Sequence, residues 1–162
     1  IVSHLMDEFH LDWDVVAEAG ATTAKVLAWI PTIERQDYDV IVVSLGINDV
    51  TAGVTRKQWI RQQQVLVQEL MNRFSTNKII ISQIPGFENF EVLPQPLRWC
   101  LGMQSRRFNA EAKTIWSDHP VCEFMDLPLV FDQSLMASDN FHPGEDAYRI
   151  WAEAFARCIR EA

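Results

Sequence analysis

Cysteine is scarce in this sequence and unpaired. Cys100, Cys122 and Cys158 are odd in number, lie far apart and form no CxxC pair. They read as reduced, packed thiols, which favours a reducing compartment and hence the cytoplasm. A signal peptide upstream of Ile1 would instead send the protein to the periplasm or out of the cell. Long apolar runs are also missing. No stretch nears the ~20 residues of a membrane span, so stable membrane insertion is not expected. Positive charge is in short supply, with 14 Lys and Arg against 22 Asp and Glu and a net charge of -8. Nucleic acid and anionic membrane surfaces both require a basic patch and are excluded as partners. No repeat, low-complexity tract or linker interrupts the chain, and its 162 residues fit one domain, 1–162, large enough for a proper core.

What is present is an alternation of apolar periods. Val2 to Phe9 and Thr23 to Ile33 have helical spacing, with Pro31 near the end of the second. Trp13 to Ala17 is a short strand candidate. Asp39 to Leu45 centres on Val40-Ile41-Val42-Val43, and Lys78 to Ile84 reads KIIISQI. Such β-branched runs predict strands buried on both faces. Between them, Thr55 to Phe74 forms an amphipathic helix with Trp59, Val65, Leu66, Leu70 and Phe74 in its stripe. Pro85 to Pro96 is an irregular loop, Leu97 to Ser117 a helix, Val121 to Met125 a strand and Gly144 to Arg160 the last helix. Strands alternating with helices predict parallel strands with crossover helices, an α/β class arranged as a three-layer α/β/α sandwich.

The chemistry-bearing residues sit in loops. Ser138-Asp139-Asn140-Phe141-His142-Pro143-Gly144 places an acid three residues before an imidazole. Asp139 can bond one ring nitrogen of His142 and leave the other free to take a proton from a nucleophile. The same residues also suit a helix start, with Pro143 at the first helical position and Glu145 in the first turn. Ser44-Leu45-Gly46-Ile47-Asn48-Asp49 and Ala17-Glu18-Ala19-Gly20-Ala21-Thr22-Thr23 each follow an apolar run. An open α/β sheet builds its site at the C-terminal ends of its strands, where these three loops would gather. His4, His10 and His119 lack ligand spacing, so neither a metal nor any other cofactor is expected. Gly20-Ala21-Thr22-Thr23 makes a poor phosphate loop.

The chain resembles the SGNH, or GDSL-type, hydrolases, a flavodoxin-like family of esterases, lipases, lysophospholipases and thioesterases. The matching blocks are Asp139-x-x-His142, Gly46-Ile47-Asn48-Asp49 and the loop glycine Gly20, in the family's order and after the family's strands. The resemblance implies sheet order 2-1-3-4-5 and hydrolysis of a small-molecule ester, thioester or lipid through an acyl-enzyme. His142 would be the general base and then the acid, with Asp139 orienting its ring. The Gly20 amide and the Asn48 side-chain NH2 would donate to the oxyanion. Asp49 is read as a loop support. Phe87, Phe90 and Trp99 are candidates for walling an acyl pocket, with a packed surface loop the equal alternative.

The family's Gly-Asp-Ser block is not in this sequence. Ser3, Ser44 and Ser138 substitute poorly: the first lies in a predicted helix, the second in a buried strand, and the third would have to fold back onto its own neighbour. The nucleophilic serine is therefore expected upstream of Ile1, on a first strand that would lie between the second and third in the sheet. A noncatalytic acyl- or glycan-binding member of the same fold would share every other feature.

Overall fold

The computed structural model describes residues 1–127 and 133–161. Three strands, β1 (Val40–Val43), β2 (Lys78–Ser82) and β3 (Cys122–Met125), form one parallel sheet in the order β1-β2-β3. Val40 pairs with Lys78 and Val43 with Ile81, while Ile79 pairs with Cys122 and Ser82 with Met125. Among the described residues six helices accompany them: α1 (Val2–Leu5), α2 (Thr23–Trp29), α3 (Ile47–Thr51), α4 (Arg56–Phe74), α5 (Leu97–Trp116) and α6 (Glu145–Arg160). Thr22 and Thr55 cap α2 and α4, their hydroxyls accepting the amides of Lys25 and Gln58. The Pro31 signal ends α2 at Trp29, and a 3-10 turn, Ile30–Thr32, follows.

Strand alternation sorts the apolar side chains into two layers. Val43, Ile79 and Ile81 pack with Trp59, Leu66, Val67, Leu70 and Phe74 of α4 and with Phe108, Ala112 and Trp116 of α5. Ile80 and Met125 turn to the opposite face and meet Phe155 of α6, with Val40, Val42 and Trp151 packed around them. The result is the three-layer α/β/α sandwich, and the strand order is that of the 3-4-5 half of the expected sheet. α1 packs on α6, where the Arg160 guanidinium donates to the Glu8 carboxylate and to the His4 carbonyl.

Several expectations need correction, among them Val65, which is 50% exposed and so lies off the buried stripe of α4. Trp13 to Ala17 is not a strand; Trp13, Val15 and Val16 are exposed, Val15 to 73%. A strand needs a neighbour, and no backbone hydrogen bond joins this segment to the sheet among the described residues. The first helix stops at Leu5 rather than Phe9. β1 is not buried on both sides, since Val40, Ile41 and Val42 are half-buried, whereas Ile79, Ile80 and Ile81 of β2 are at most 3% exposed.

The hydrogen-bond phase explains the last point. The Lys78 amide donates to Asp39 O, and the Ile79 amide donates away from β1, to Val121 O at 2.7 Å. In a parallel ladder alternate residues bond to alternate sides. Odd residues of β1 therefore face β2, and the N–H and C=O groups of Val40 and Val42 face a free edge. The segment from Asp14 to Ala21 is pinned at both ends. Asp14 accepts from the Tyr38 hydroxyl at 2.8 Å, at the foot of β1, and Ala21 O accepts from Asn48, just past its top.

Candidate functional site

The loop from Leu135 to Gly144 closes on itself before α6 begins. Met136 and Pro143 form an antiparallel bridge, the Ala137 amide donates to His142 O at 2.8 Å, and the Gly144 amide donates to Leu135 O at 2.7 Å. Gly144 allows this closeness, because a Cβ there would stand 3.1 Å from Leu135 O. Within the loop, one carboxylate organises the tip. Asp139 Oδ1 accepts the amides of Phe141 and His142, both at 2.9 Å, and Oδ2 lies 2.6 Å from His142 Nδ1. Asn140, between them, takes the left-handed conformation at φ 54°, which Asn tolerates.

The electrostatics of the pair follow from these contacts. The His142 ring, and then the two backbone amides, hold the Asp139 carboxyl well below the usual carboxylate range. An ionised Asp139 has no proton to give, so Nδ1 is the donor in this contact. The His142 side chain is 68% exposed and open to a reacting group. Its ring stands edge-on to Phe141, which in turn contacts Phe90 at 5.5 Å between centroids.

The second and third loops are tied to each other. Gly46 begins the turn after β1 at φ 121°, and a Cβ there would sit 2.5 Å from Ile84, so glycine is required twice over. The turn delivers Asn48, half-buried, whose Nδ2 donates to Ala21 O at 2.9 Å. An amide nitrogen has two hydrogens, so one remains available. Gly20, next to Ala21, is exposed at φ 77° with nothing within 4 Å of the position of a Cβ. Its glycine character thus answers to backbone conformation and not to crowding by protein atoms.

Asp49 is wholly buried and accepts from Thr23 three times: the backbone amide reaches both carboxylate oxygens, at 3.0 and 3.2 Å, and the hydroxyl reaches Oδ2 at 3.0 Å. Burial pushes its carboxyl up, against the pull of the Thr23 amide and hydroxyl. Gln63 Nε2 donates to the same hydroxyl at 2.9 Å. The sequence reading missed Thr23 and Gln63. The signal was there, because Gln63 falls in the apolar stripe of α4 between Trp59 and Leu66, a place where a polar side chain needs a partner.

Of the three pocket candidates, Phe87 and Phe90 belong to the main core at 0% and 2% exposure, 5.3 Å apart. Neither presents a free surface that could wall an open pocket. Asn109 of α5 fixes the start of their segment, its side chain accepting the Ile84 amide and donating to Ile84 O, both at 2.9 Å. Trp99, in the first turn of α5, is 56% exposed and stands outside that core. Ser3, Ser44 and Ser138 are all exposed. Among the described residues no group of three or more His, Cys, Asp or Glu gathers where it could hold a metal ion, and no helix is long and apolar enough to cross a membrane.

The model of the GDSL-like lipase/acylhydrolase family matches residues 2–150. No curated protein matches the sequence. Among solved structures, a catalytic mutant of Axe2, an acetylxylan esterase from Geobacillus stearothermophilus, is similar at TM-score 0.63 and 21% identity, over 85% of this chain and 67% of that one. A carbohydrate esterase family 3 protein from Talaromyces cellulolyticus gives 0.58 and 13%, over 88% and 68%. LAE5, an alpha/beta hydrolase enzyme from the metagenome of Lake Arreo, Spain, gives 0.57 and 17%, over 84% and 66%. At these identities the likeness is one of fold.

Proposed function

The chain belongs to the GDSL-like lipase/acylhydrolase family, and from that premise we propose that it hydrolyses small carboxylic esters through an acyl-enzyme, with residues 1–162 acting as one domain. The observation that carries this reading is the Asp139–His142 pair, in which Oδ2 engages Nδ1 on an exposed ring, the arrangement in which a neutral imidazole turns Nε2 to the nucleophile. A serine hydroxyl is a poor nucleophile at neutral pH and needs such a base within hydrogen-bond reach. His142 takes the hydroxyl proton as the serine attacks, then returns it to the leaving alkoxide. Asp139 keeps the ring in the right tautomer and stabilises the imidazolium. The Gly20 amide and the free hydrogen of the Asn48 side chain are the donors proposed for the oxyanion.

We place the serine upstream of Ile1, on a strand that pairs with the free edge of β1. The outward groups of Val40 and Val42 are ready to receive such a strand. It would end beside Asn48, at the C-terminal end of β1. Short acyl groups are the substrates to try first, because two of the fold relatives are acetylxylan or carbohydrate esterases by name.

The test is hydrolysis of p-nitrophenyl acetate by the protein carrying its upstream segment. His142→Ala should cut turnover by several orders of magnitude, as for other triads. Asn48→Ala should lower kcat by ~100-fold with little change in KM. Full activity in His142→Ala sinks the reading. Binding of acyl or glycan ligands without turnover would establish the noncatalytic alternative instead.

A further inference from the structure

Three residues on three helices make a directional chain of hydrogen bonds that the acid–base chemistry does not use. Gln63 of α4 donates to the Thr23 hydroxyl at 2.9 Å. That hydroxyl has a single proton and gives it to Asp49 Oδ2 at 3.0 Å. The Thr23 backbone amide, at the start of α2, donates to the same carboxylate. Thr23, Asp49 and Gln63 are each at most 1% exposed. Beside them Asn48 donates to Ala21 O. Residues 21–23 and residues 48–49, far apart in sequence, are thus joined by contacts from side chain to backbone as well as side chain to side chain.

This arrangement is an expensive way to hold two loops together. Each buried polar group forfeits its hydration, and an apolar residue at position 63 would extend the stripe of Trp59, Leu66 and Leu70 at no such cost. What the polar chain provides, and apolar packing does not, is a fixed distance and angle between the two loops. Gly20 stands one residue before Ala21, and Asn48 one residue before Asp49. Two donors aimed at one developing negative charge need that kind of fixity, since an error near 1 Å costs up to ~100-fold in rate.

We propose that Gln63 and Thr23 are positioning residues, which set the Gly20 amide and the Asn48 side chain relative to each other through Asp49. The proposal rests on the ester-hydrolase reading above and gives its oxyanion donors a support. Gln63 touches no reacting atom; it acts through the proton direction of the Thr23 hydroxyl. Thr23→Val keeps the shape and removes that hydroxyl, whereas Thr23→Ser keeps the hydroxyl.

The experiment has two arms. In the protein carrying its upstream segment, Thr23→Val should lower kcat for p-nitrophenyl acetate by up to ~100-fold with KM nearly unchanged, and Thr23→Ser should restore most of it. Gln63→Leu should lower kcat by about tenfold without lowering the melting temperature. In the second arm, which needs no turnover, 15N spectra of Gln63→Leu should show the Gly20 amide and the Asn48 side-chain NH2 displaced while the His142 ring signals stay put. Unmoved Gly20 and Asn48 signals, or a kcat that Thr23→Ser fails to rescue, would overturn the positioning role. Displaced signals in a protein whose ester turnover is indifferent to His142→Ala would leave the clamp standing and remove the hydrolase reading beneath it.

Discussion

β1 and β3 stand at opposite edges of the same sheet and are buried to a similar degree, but only β3 is built as an edge. Its Glu123 carries a charge, paired at 2.8 Å with Lys78, and its neighbours pack against α5. Charge on an outer strand is a common way of discouraging further pairing. β1 has no such feature. Val40 to Val43 are all β-branched and apolar, and their outward backbone groups have no backbone partner among the described residues. The comparison separates two reasons for half-burial. β3 is half-buried because the sheet ends there, while β1 has the composition of an inner strand with one side uncovered. Trp13, Val15 and Val16, exposed on the segment that leads to Gly20, extend the contrast beyond the strand itself.

Hydrogen exchange should give the largest difference. The amides of Ile79 and Ile81 in the ladder should be protected over those of Val40 and Val42 by at least ~1000-fold, because only the former require global opening. Equal protection in the 162-residue chain would mean that β1 already has a partner and would end the comparison. If the strand proposed to precede Ile1 is supplied, Val40 and Val42 should slow to the pace of their neighbours.

Truncations at matched residues should give an intermediate effect. Ile80→Ala, at a wholly buried position of the middle strand, should cost ~2–5 kcal/mol in urea denaturation, and Ile41→Ala on β1 no more than about half of that. A covered edge should bring the Ile41 cost up toward that of Ile80, which sharpens the assignment of β1 as an inner strand.

The smallest effect concerns thiols on the β3 side. Burial pushes the Cys122 thiol up to about 12, and burial, with Glu123 beside it, takes Cys158 up to about 11. Only a thiolate alkylates, so at pH 8 exposed Cys100 should react with iodoacetamide more than about tenfold faster than either. Since the raised values are lost on unfolding, all three should become alike in urea. Fast labelling of Cys122 in the folded protein would show that the β3 edge opens as readily as β1.

The layers of the fold could be read from the sequence because they depend on periodicity. Val40–Val43 and Lys78–Ser82 are strands because β-branched runs of that length suit nothing else, and Arg56–Phe74 is a helix because its stripe repeats every three to four residues. Asp139 and His142 were legible for a similar reason, since three residues of separation already put the groups within reach. Trp13 to Ala17 misled because its apolar character was real, but no strand among the described residues pairs with it. Thr23 and Gln63 were harder still. Their contact spans 40 positions, and nothing local distinguishes Thr23 from the adjacent cap Thr22.

The self-closed loop from Leu135 to Gly144 has a consequence for folding order. Its bonds, from Ala137 to His142 and from Gly144 to Leu135, span so few residues that little chain entropy opposes their formation. The acid–base pair can therefore assemble early and persist through partial opening, whereas the contact between residues 21–23 and 48–49 must wait until β1 has been brought to its place. A protein built this way loses its proposed oxyanion donors first and its base last. As temperature rises, a ring signal from His142 should outlive the Asn48 side-chain signal.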